Sequence, residues 1–449
     1  MREMKDSGIE WIGEIPKDWE RGCIKNILEV LTDYTANGSF ADLAKNVHYL
    51  DNDGFARLVR LTDLRLDLSN DDGVYVGEKT YNYLAKSSLF GGEILVANVG
   101  AYAGLFCEMP PKEGRFTLGP NMFLLRTNKR MIQHYLFYLG QAKFVKEQLA
   151  QKAISSAQPK LNKTDLKTVF IAIPSIAEQQ QIADYLDTKC SEIDATAEDI
   201  QKEISLLEEY KKSVITEAVT KGLNPDAEMK DSGIEWIGDI NRKASLCRLK
   251  FFSYMKGRIG WQGLKSEDFI DNGPYCVTGT DFINGKINWD TCYHVSEERY
   301  KMDSNIQLKI GDLLVTKDGT IGKLAKVTEL PEKACLNSHL LIIRPLNERF
   351  TNEYLYYVIS SDVFVRYYKY SSTGSTMESL SQEKLGNFIF PVYDLLSQQQ
   401  IVDYLDSKCS EIETLIADKK RQLDILADYK KYLIYEYVTG KKEVPVKDF

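Results

Sequence analysis

Metal-ligand and redox chemistry have little to stand on in this sequence. Its eight cysteines form no Cys-x-x-Cys pair, and its four histidines, His48, His134, His294 and His339, are far apart. That spacing suggests neither a disulfide framework nor a zinc site, and predicts reduced, structural thiols. No apolar run approaches the roughly 20 residues of a spanning helix, and the start Met1-Arg-Glu-Met-Lys-Asp lacks the apolar stretch of a secretory signal. A cytoplasmic location without membrane contact is expected. Excess positive charge is missing too: 57 Lys+Arg face 65 Asp+Glu, which at first argues against a polyanionic partner.

The elements of a DNA-modifying enzyme are equally scarce. The one Asn-Pro is Asn224-Pro225-Asp226, not the Asn/Asp-Pro-Pro-aromatic element that would hold an adenine amino group, and no strand leads into a glycine-rich cofactor turn. Asp318-Gly-Thr-Ile-Gly-Lys323 has a passing likeness to a phosphate loop but the wrong spacing, and Leu324 stands where a hydroxyl would bind Mg²⁺. It is expected to be a strand-to-strand turn. With 65 acidic residues, scattered carboxylate pairs are no signal for acid/base work. No catalytic residue, metal site or bound cofactor is therefore expected.

What is present is a repeat. The segment MKDSGIEWIG occurs at Met4–Gly13 and again, letter for letter, at Met229–Gly238. Glu178–Ile193 returns as Ser397–Ile412 with few changes, and each copy runs on to a Tyr-Lys-Lys, at Tyr210–Lys212 and Tyr429–Lys431. Between these blocks the likeness fades without vanishing, as in Gly92–Gly100 against Gly311–Gly319. Lead-in, variable unit and long helix thus occur twice, which is the mark of a duplicated half rather than a solenoid.

Charge follows the same plan. Residues 17–172 hold 20 basic against 17 acidic side chains, and residues 242–392 hold 20 against 17 again. Residues 173–222 hold 5 against 11. Acidity sits in the helical segments and lead-ins, leaving two mildly basic units with room for local positive patches.

The helices carry heptads. Leu186, Ile193, Ile200, Leu207 and Val214 occupy d positions, with Ala183, Cys190, Ala197, Ile204 and Ala218 at a. The second copy places Leu405, Ile412, Leu426 and Leu433 at d and Val402, Cys409, Ile416, Leu423 and Tyr437 at a. Lys211 and Lys430 are misfits at a, expected to snorkel out of the seam, and Lys419 interrupts d. A helix over residues 176–220 would run roughly 65 Å and needs a partner stripe. Pairing the two copies is the simplest solution; packing on its own variable unit or in a homodimer is the alternative.

The variable units read as mixed strand and helix. Ile94–Val99, Leu313–Lys317 and Leu340–Arg344 are short β-rich runs, Tyr135–Leu149 and Tyr354–Tyr368 have helical spacing, and Pro174 and Pro391 close loops shortly before the long helices. The expected fold class is α+β, with two mixed α/β domains separated by two long antiparallel coiled-coil helices in an internal pseudo-two-fold repeat. The divisions expected are 1–172, 173–222, 223–392 and 393–449.

The lead-in Lys5–Glu20, the stretch Gly311–Lys323 and the Gln-Gln-x-Ile-x-x-Tyr-Leu-Asp block after Pro174 and Pro391 resemble the specificity subunits of type I restriction-modification systems, over essentially the full chain. The resemblance implies two target recognition domains, each reading one half of a split double-stranded DNA site, with a helical spacer that sets the gap. It implies two modification subunits docked on the helices, using S-adenosylmethionine to methylate adenine, and restriction subunits that use ATP and Mg²⁺. The second lead-in departs from the first after Asp239-Ile240, so Trp19 has no counterpart.

Base reading needs polar side chains on loops. Two loops qualify at equivalent places: Ser155, Ser156, Gln158 and Lys160 in the first unit, and Ser372, Ser375 and Thr376 in the second. A second pair is Asn98 with Tyr102, against Thr316, Lys317 and Lys323. For partner binding the helix residues Gln180, Gln181, Tyr185 and Tyr210, and their copies Gln399, Gln400, Tyr404 and Tyr429, are polar repeats that the seam does not explain. Two rival readings stay open: an autonomous adenine methyltransferase, and a coiled-coil adaptor carrying two modules that bind something other than DNA.

Overall fold

The structure, a computed structural model, describes residues 2–51, 53–153, 159–258, 264–372 and 379–445. The chain divides into two compact units, one of residues 1–200 with 421–449, the other of residues 201–420. Each unit therefore contains one variable domain, part of the first long helix and part of the second.

In the first unit the strands β1 (Leu28–Asp33), β2 (Ile94–Ala97), β3 (Phe106–Glu108) and β4 (Met122–Thr127) form an antiparallel sheet of order β3-β2-β4-β1. Helices α1 (Gln133–Gln141) and α2 (Lys143–Lys152) follow, and then the long α3 (Ile176–Lys221). A five-stranded sheet, in which Ala56–Val59 runs parallel to Phe116–Leu118, completes the domain. The Tyr135–Leu149 run is two helices, because Ala142 between them has extended backbone (ψ 140°). Its apolar period continues across that break, since both helices cover one core.

The second unit repeats the plan. Strands β5 (Ser253–Lys256), β6 (Lys286–Ile287), β7 (Leu313–Thr316), β8 (Leu324–Lys326) and β9 (Leu340–Pro345) contain the same four-strand order, β8-β7-β9-β5. Here the sheet continues past β8 through β6 to Phe282–Ile283, a hairpin closed at Asn284-Gly285 with φ of 49° and 73°. Left-handed backbone at both turn residues suits the twist of a tight hairpin, and Asn-Gly supplies it at little cost. Helices α4 (Asn352–Ser360) and α5 (Asp362–Ser372) split the Tyr354–Tyr368 run at Ser361, and α6 (Leu395–Val438) is the second long helix. Pro391 is not in a loop: it lies in the strand Ile389–Val392 opposite Leu246. That two-stranded pair leaves each strand an unpaired edge, where a missing N–H is tolerated.

Helices α3 and α6 are continuous over 46 and 44 residues, roughly 69 and 66 Å at 1.5 Å per residue. They pair antiparallel. In the first unit Tyr185 packs on Tyr437 with ring centroids 4.6 Å apart, and Asp194 faces Lys430. In the second unit Glu203 faces Lys419 and Lys211 faces Glu413. Within each unit one residue number falls as the other rises, as an antiparallel pair requires. The three lysines expected to interrupt the seam are thus held by carboxylates of the opposite helix. Seam residues Ala183, Leu186, Ile193 and Leu433 join the first core, while Ala218, Val402 and Leu405 join the second. Burial of such side chains contributes about 1.5–3 kcal/mol each for the larger ones. All eight cysteines are free thiols.

Candidate nucleic-acid interface

In each unit one glycine turn and one loop end are held side by side. The turn between β2 and β3 carries Gly100 and Gly104 at φ of 85° and 89°, where a side chain would strain the backbone. The amide of Gly100 donates to the carbonyl of Pro159 (2.9 Å), and that of Leu161 to the carbonyl of Asn98 (2.8 Å). In the second unit the β7–β8 turn carries Gly319 and Gly322 at φ of 67° and 80°, and the amide of Leu380 donates to the carbonyl of Lys317 (2.8 Å). The two pairs of loops singled out in the sequence are therefore brought together in each unit at their described ends. Ser155, Ser156, Gln158, Ser375 and Thr376 lie outside the described residues.

The side chains at these turns differ in what they have available. Tyr102 is half exposed and carries the Arg65 guanidinium over its ring at 4.8 Å, with Arg65 Nη1 donating to its hydroxyl (3.0 Å). Lys160 is exposed, and the buried Oδ1 of Asn98 has no partner. Lys317 is half-buried; Lys323 is exposed and donates to the Gly279 carbonyl (3.0 Å). Thr316 is buried: its hydroxyl donates to the Thr320 carbonyl and accepts from the Lys323 amide (2.9 Å), so it shapes the turn. Ser372 is half-buried and its Oγ is unpartnered.

Two fully buried glutamines fix the domains to the helices. Gln179 Oε1 accepts from the Ile132 amide (2.8 Å), and its Nε2 donates to the carbonyls of Arg130 and Pro174 (both 2.9 Å). Gln398 does the same with the Thr351 amide (3.1 Å) and the carbonyls of Arg349 (3.0 Å) and Tyr393 (2.8 Å). A third tie is a tyrosine on a helix aspartate, Tyr138 on Asp187 (2.6 Å) and Tyr357 on Asp406. Only the first unit adds a histidine: His134 lies 2.6 Å from Glu108 and 2.7 Å from Asp187. Hydrogen bonds to these carboxylates, Glu108 foremost, raise its pKa from the usual imidazole range to about 9. Among the described residues no group of three or more His, Cys, Asp and Glu is placed to hold a metal ion.

Residues 16–206 and 262–423 match the family model for the type I restriction modification DNA specificity domain. The chain belongs to that family. The type I restriction enzyme MjaVIII specificity subunit of Methanocaldococcus jannaschii is 24% identical over 97% of this chain and 95% of its own. The EcoBI specificity subunit of Escherichia coli is 21% identical over 89% of this chain and 81% of its own. The fold also matches a solved chain from work on complex assembly and conformational transition of the type I R-M system, with a TM-score of 0.69 and 15% identity over 95% of this chain and 99% of that one.

The helices of this specificity-family chain carry a duplicated exposed surface. Leu206 and Tyr210 are 63% and 55% exposed; their copies Ile425 and Tyr429 are 60% and 50% exposed. Lys189 pairs with Glu192 (2.7 Å), and its copy Lys408 with Glu411 (2.8 Å). Gln180 and Gln399 are exposed and donate to Asp184 and Asp403 one turn on (both 2.7 Å); Gln181 and Gln400 are exposed as well. No helix among the described residues is long and apolar enough to cross a membrane.

Proposed function

We propose that this chain is the non-catalytic, sequence-reading subunit of a type I restriction-modification complex, that each variable domain reads one half of a split, asymmetric double-stranded DNA site, and that the paired helices set the gap. The observation that carries this reading is the duplicated frame. The same strand order, glutamine clamp and turn-to-loop pairing occur twice, while the side chains on the turns have diverged from Asn98 and Tyr102 to Lys317 and Ile321. An identical frame with different reading groups is what an asymmetric site requires.

The duplicated helix surface is read as the seat of two modification subunits, one copy for each, because two identical partners need two identical surfaces. Restriction subunits join the assembly through them. S-adenosylmethionine, ATP and Mg²⁺ belong to those partners, and this chain binds none of them. The complex works in the cytoplasm. Mapping N6-methyladenine across the host genome, with and without this gene, tests the reading. Loss of one split motif is expected, and exchange of residues 17–172 should rewrite one half of it. An unchanged methylation map overturns it. Methyl transfer by the purified chain alone would favour an autonomous methyltransferase instead.

A further inference from the structure

The second unit contains a groove that the duplication does not explain. It encloses about 680 Å³ between α3, α6 and the extended edge of the sheet. Four lysines line it without any ion pair among the described residues: Lys212 of α3, Lys420 of α6, Lys286 of β6 and Lys326 of β8. Lys286 and Lys326 are register partners on adjacent strands, and both line the groove. Lys326 sits 4.9 Å from the Tyr356 ring centroid. The wall is closely built. Gly285, at φ of 73°, passes so near Tyr356 that a Cβ would lie 2.5 Å from its hydroxyl.

Three carboxylates also line the groove, and two of them are occupied. Asp406 receives the Tyr357 hydroxyl and Glu413 the Lys211 ammonium, leaving Glu208. Four unpaired cations against one unpaired carboxylate make the groove a seat for a polyanion. Among the described residues the first unit does not repeat this lining: Glu108 and Phe137 stand at the positions of Lys326 and Tyr356, since Glu108 pairs with Ile94 as Lys326 does with Leu313, and its sheet ends at β3. A surface for a partner present in two equal copies should be duplicated, whereas the halves of an asymmetric DNA site need not be gripped alike.

We infer that Lys212, Lys286, Lys326 and Lys420 grip the phosphate backbone of duplex DNA beside the half-site read by the second domain. This rests on the DNA-reading function proposed above. The test uses the complex of the full chain with its modification subunits and a labelled random-sequence duplex, with affinity measured over a salt series. Each phosphate contact contributes about 0.9 to the slope of log affinity against log salt. Lys286→Gln with Lys326→Gln should flatten the slope by about 2 and weaken low-salt binding about ten-fold. Lys212→Gln should flatten it by about 1, and Lys431→Gln, the same charge loss at the duplicate position, should leave it unchanged.

These side chains make no buried polar contacts, so unchanged thermal melts are expected to certify the fold. If the unaltered complex binds duplex and the groove variants keep its full slope, the groove inference is overturned while DNA reading stands. Kept slopes with loss of the modification subunit would reassign the groove to protein binding. Absence of duplex binding by the unaltered complex overturns the DNA reading and this inference together.

Discussion

Lys430 Nζ lies 2.6 Å from Asp194 Oδ2, joining the two long helices inside the first unit. The repeat places Lys211 and Glu413 at the duplicate positions in the second unit, where they pair as well. A lysine at a seam position is costly unless its charge is met, so each pair favours the antiparallel register in which the opposite carboxylate is present. Since Asp194 is mostly exposed, the net contribution is small. A double-mutant cycle on Lys430→Ala and Asp194→Ala should give a coupling of about 0.5–1 kcal/mol that shrinks with salt. Coupling that is absent at low salt would remove the register argument.

The glutamine clamps should matter far more than those ion pairs. Gln179→Ala strips partners from the buried Ile132 amide and from the carbonyls of Arg130 and Pro174 at once. A loss of about 2–4 kcal/mol is expected, because buried groups left unpaired pay their full desolvation cost. Gln398→Ala should cost a similar amount. Chemical denaturation followed by segment-resolved hydrogen exchange would show the loss beginning in the mutated unit; equal protection in both units would contradict the clamp.

His134 makes the stability of the first unit depend on pH. Its folded pKa, about 9, stands above the ordinary imidazole value of 6.5. The charged ring therefore stabilises the fold fully below about pH 6.5, and that contribution fades as pH rises through about 9. The ring is one-third exposed, which limits the effect to roughly 1–2 kcal/mol. His134→Gln should flatten the pH dependence of unfolding between those values, measured by denaturant titration at each pH. The second unit has Glu353 at this position and should lack the dependence.

The duplicated helix surface leads to a further expectation. Tyr210→Ala and Tyr429→Ala each remove one copy of a half-exposed tyrosine, so each single variant should retain one modification subunit, and the double variant should lose both. Mass measurement of the assembled complexes separates these outcomes. Loss of both partners on a single substitution would mean that the two seats act as one.

Much of this architecture is legible in the sequence, since a repeated segment must build the same local structure twice and a heptad must find a partner stripe. What escapes is what depends on distant neighbours. Lys211 and Lys430 read as misfits because the carboxylates that meet them lie 202 and 236 residues away. Gln179 and Gln398 sit in runs of three glutamines, and nothing local says which member turns inward. The hairpin that extends the second sheet did leave a signal, Asn284-Gly285, but its strands are two residues each, too short for any alternation to show.

Tyr102 and Lys317 test whether the two turns read separate halves of the DNA. Both sit on glycine turns held against the loop end before the closing strand, yet one presents an aromatic ring with an arginine over it and the other a single ammonium. Tyr102→Ala frees Arg65 and should relax selectivity in the half read by the first domain; Lys317→Ala should do so in the other half. Loss of one good base contact is worth about 1–3 kcal/mol, or roughly ten- to a hundred-fold in discrimination. Methylation mapping of each variant should show degeneracy confined to one half of the motif. Tyr102→Phe keeps the ring beneath Arg65 and loses only the hydroxyl that Arg65 bonds, so intact selectivity in that variant would assign the reading to the stacked pair. Degeneracy spread over both halves would show that the turns support the domains without reading bases.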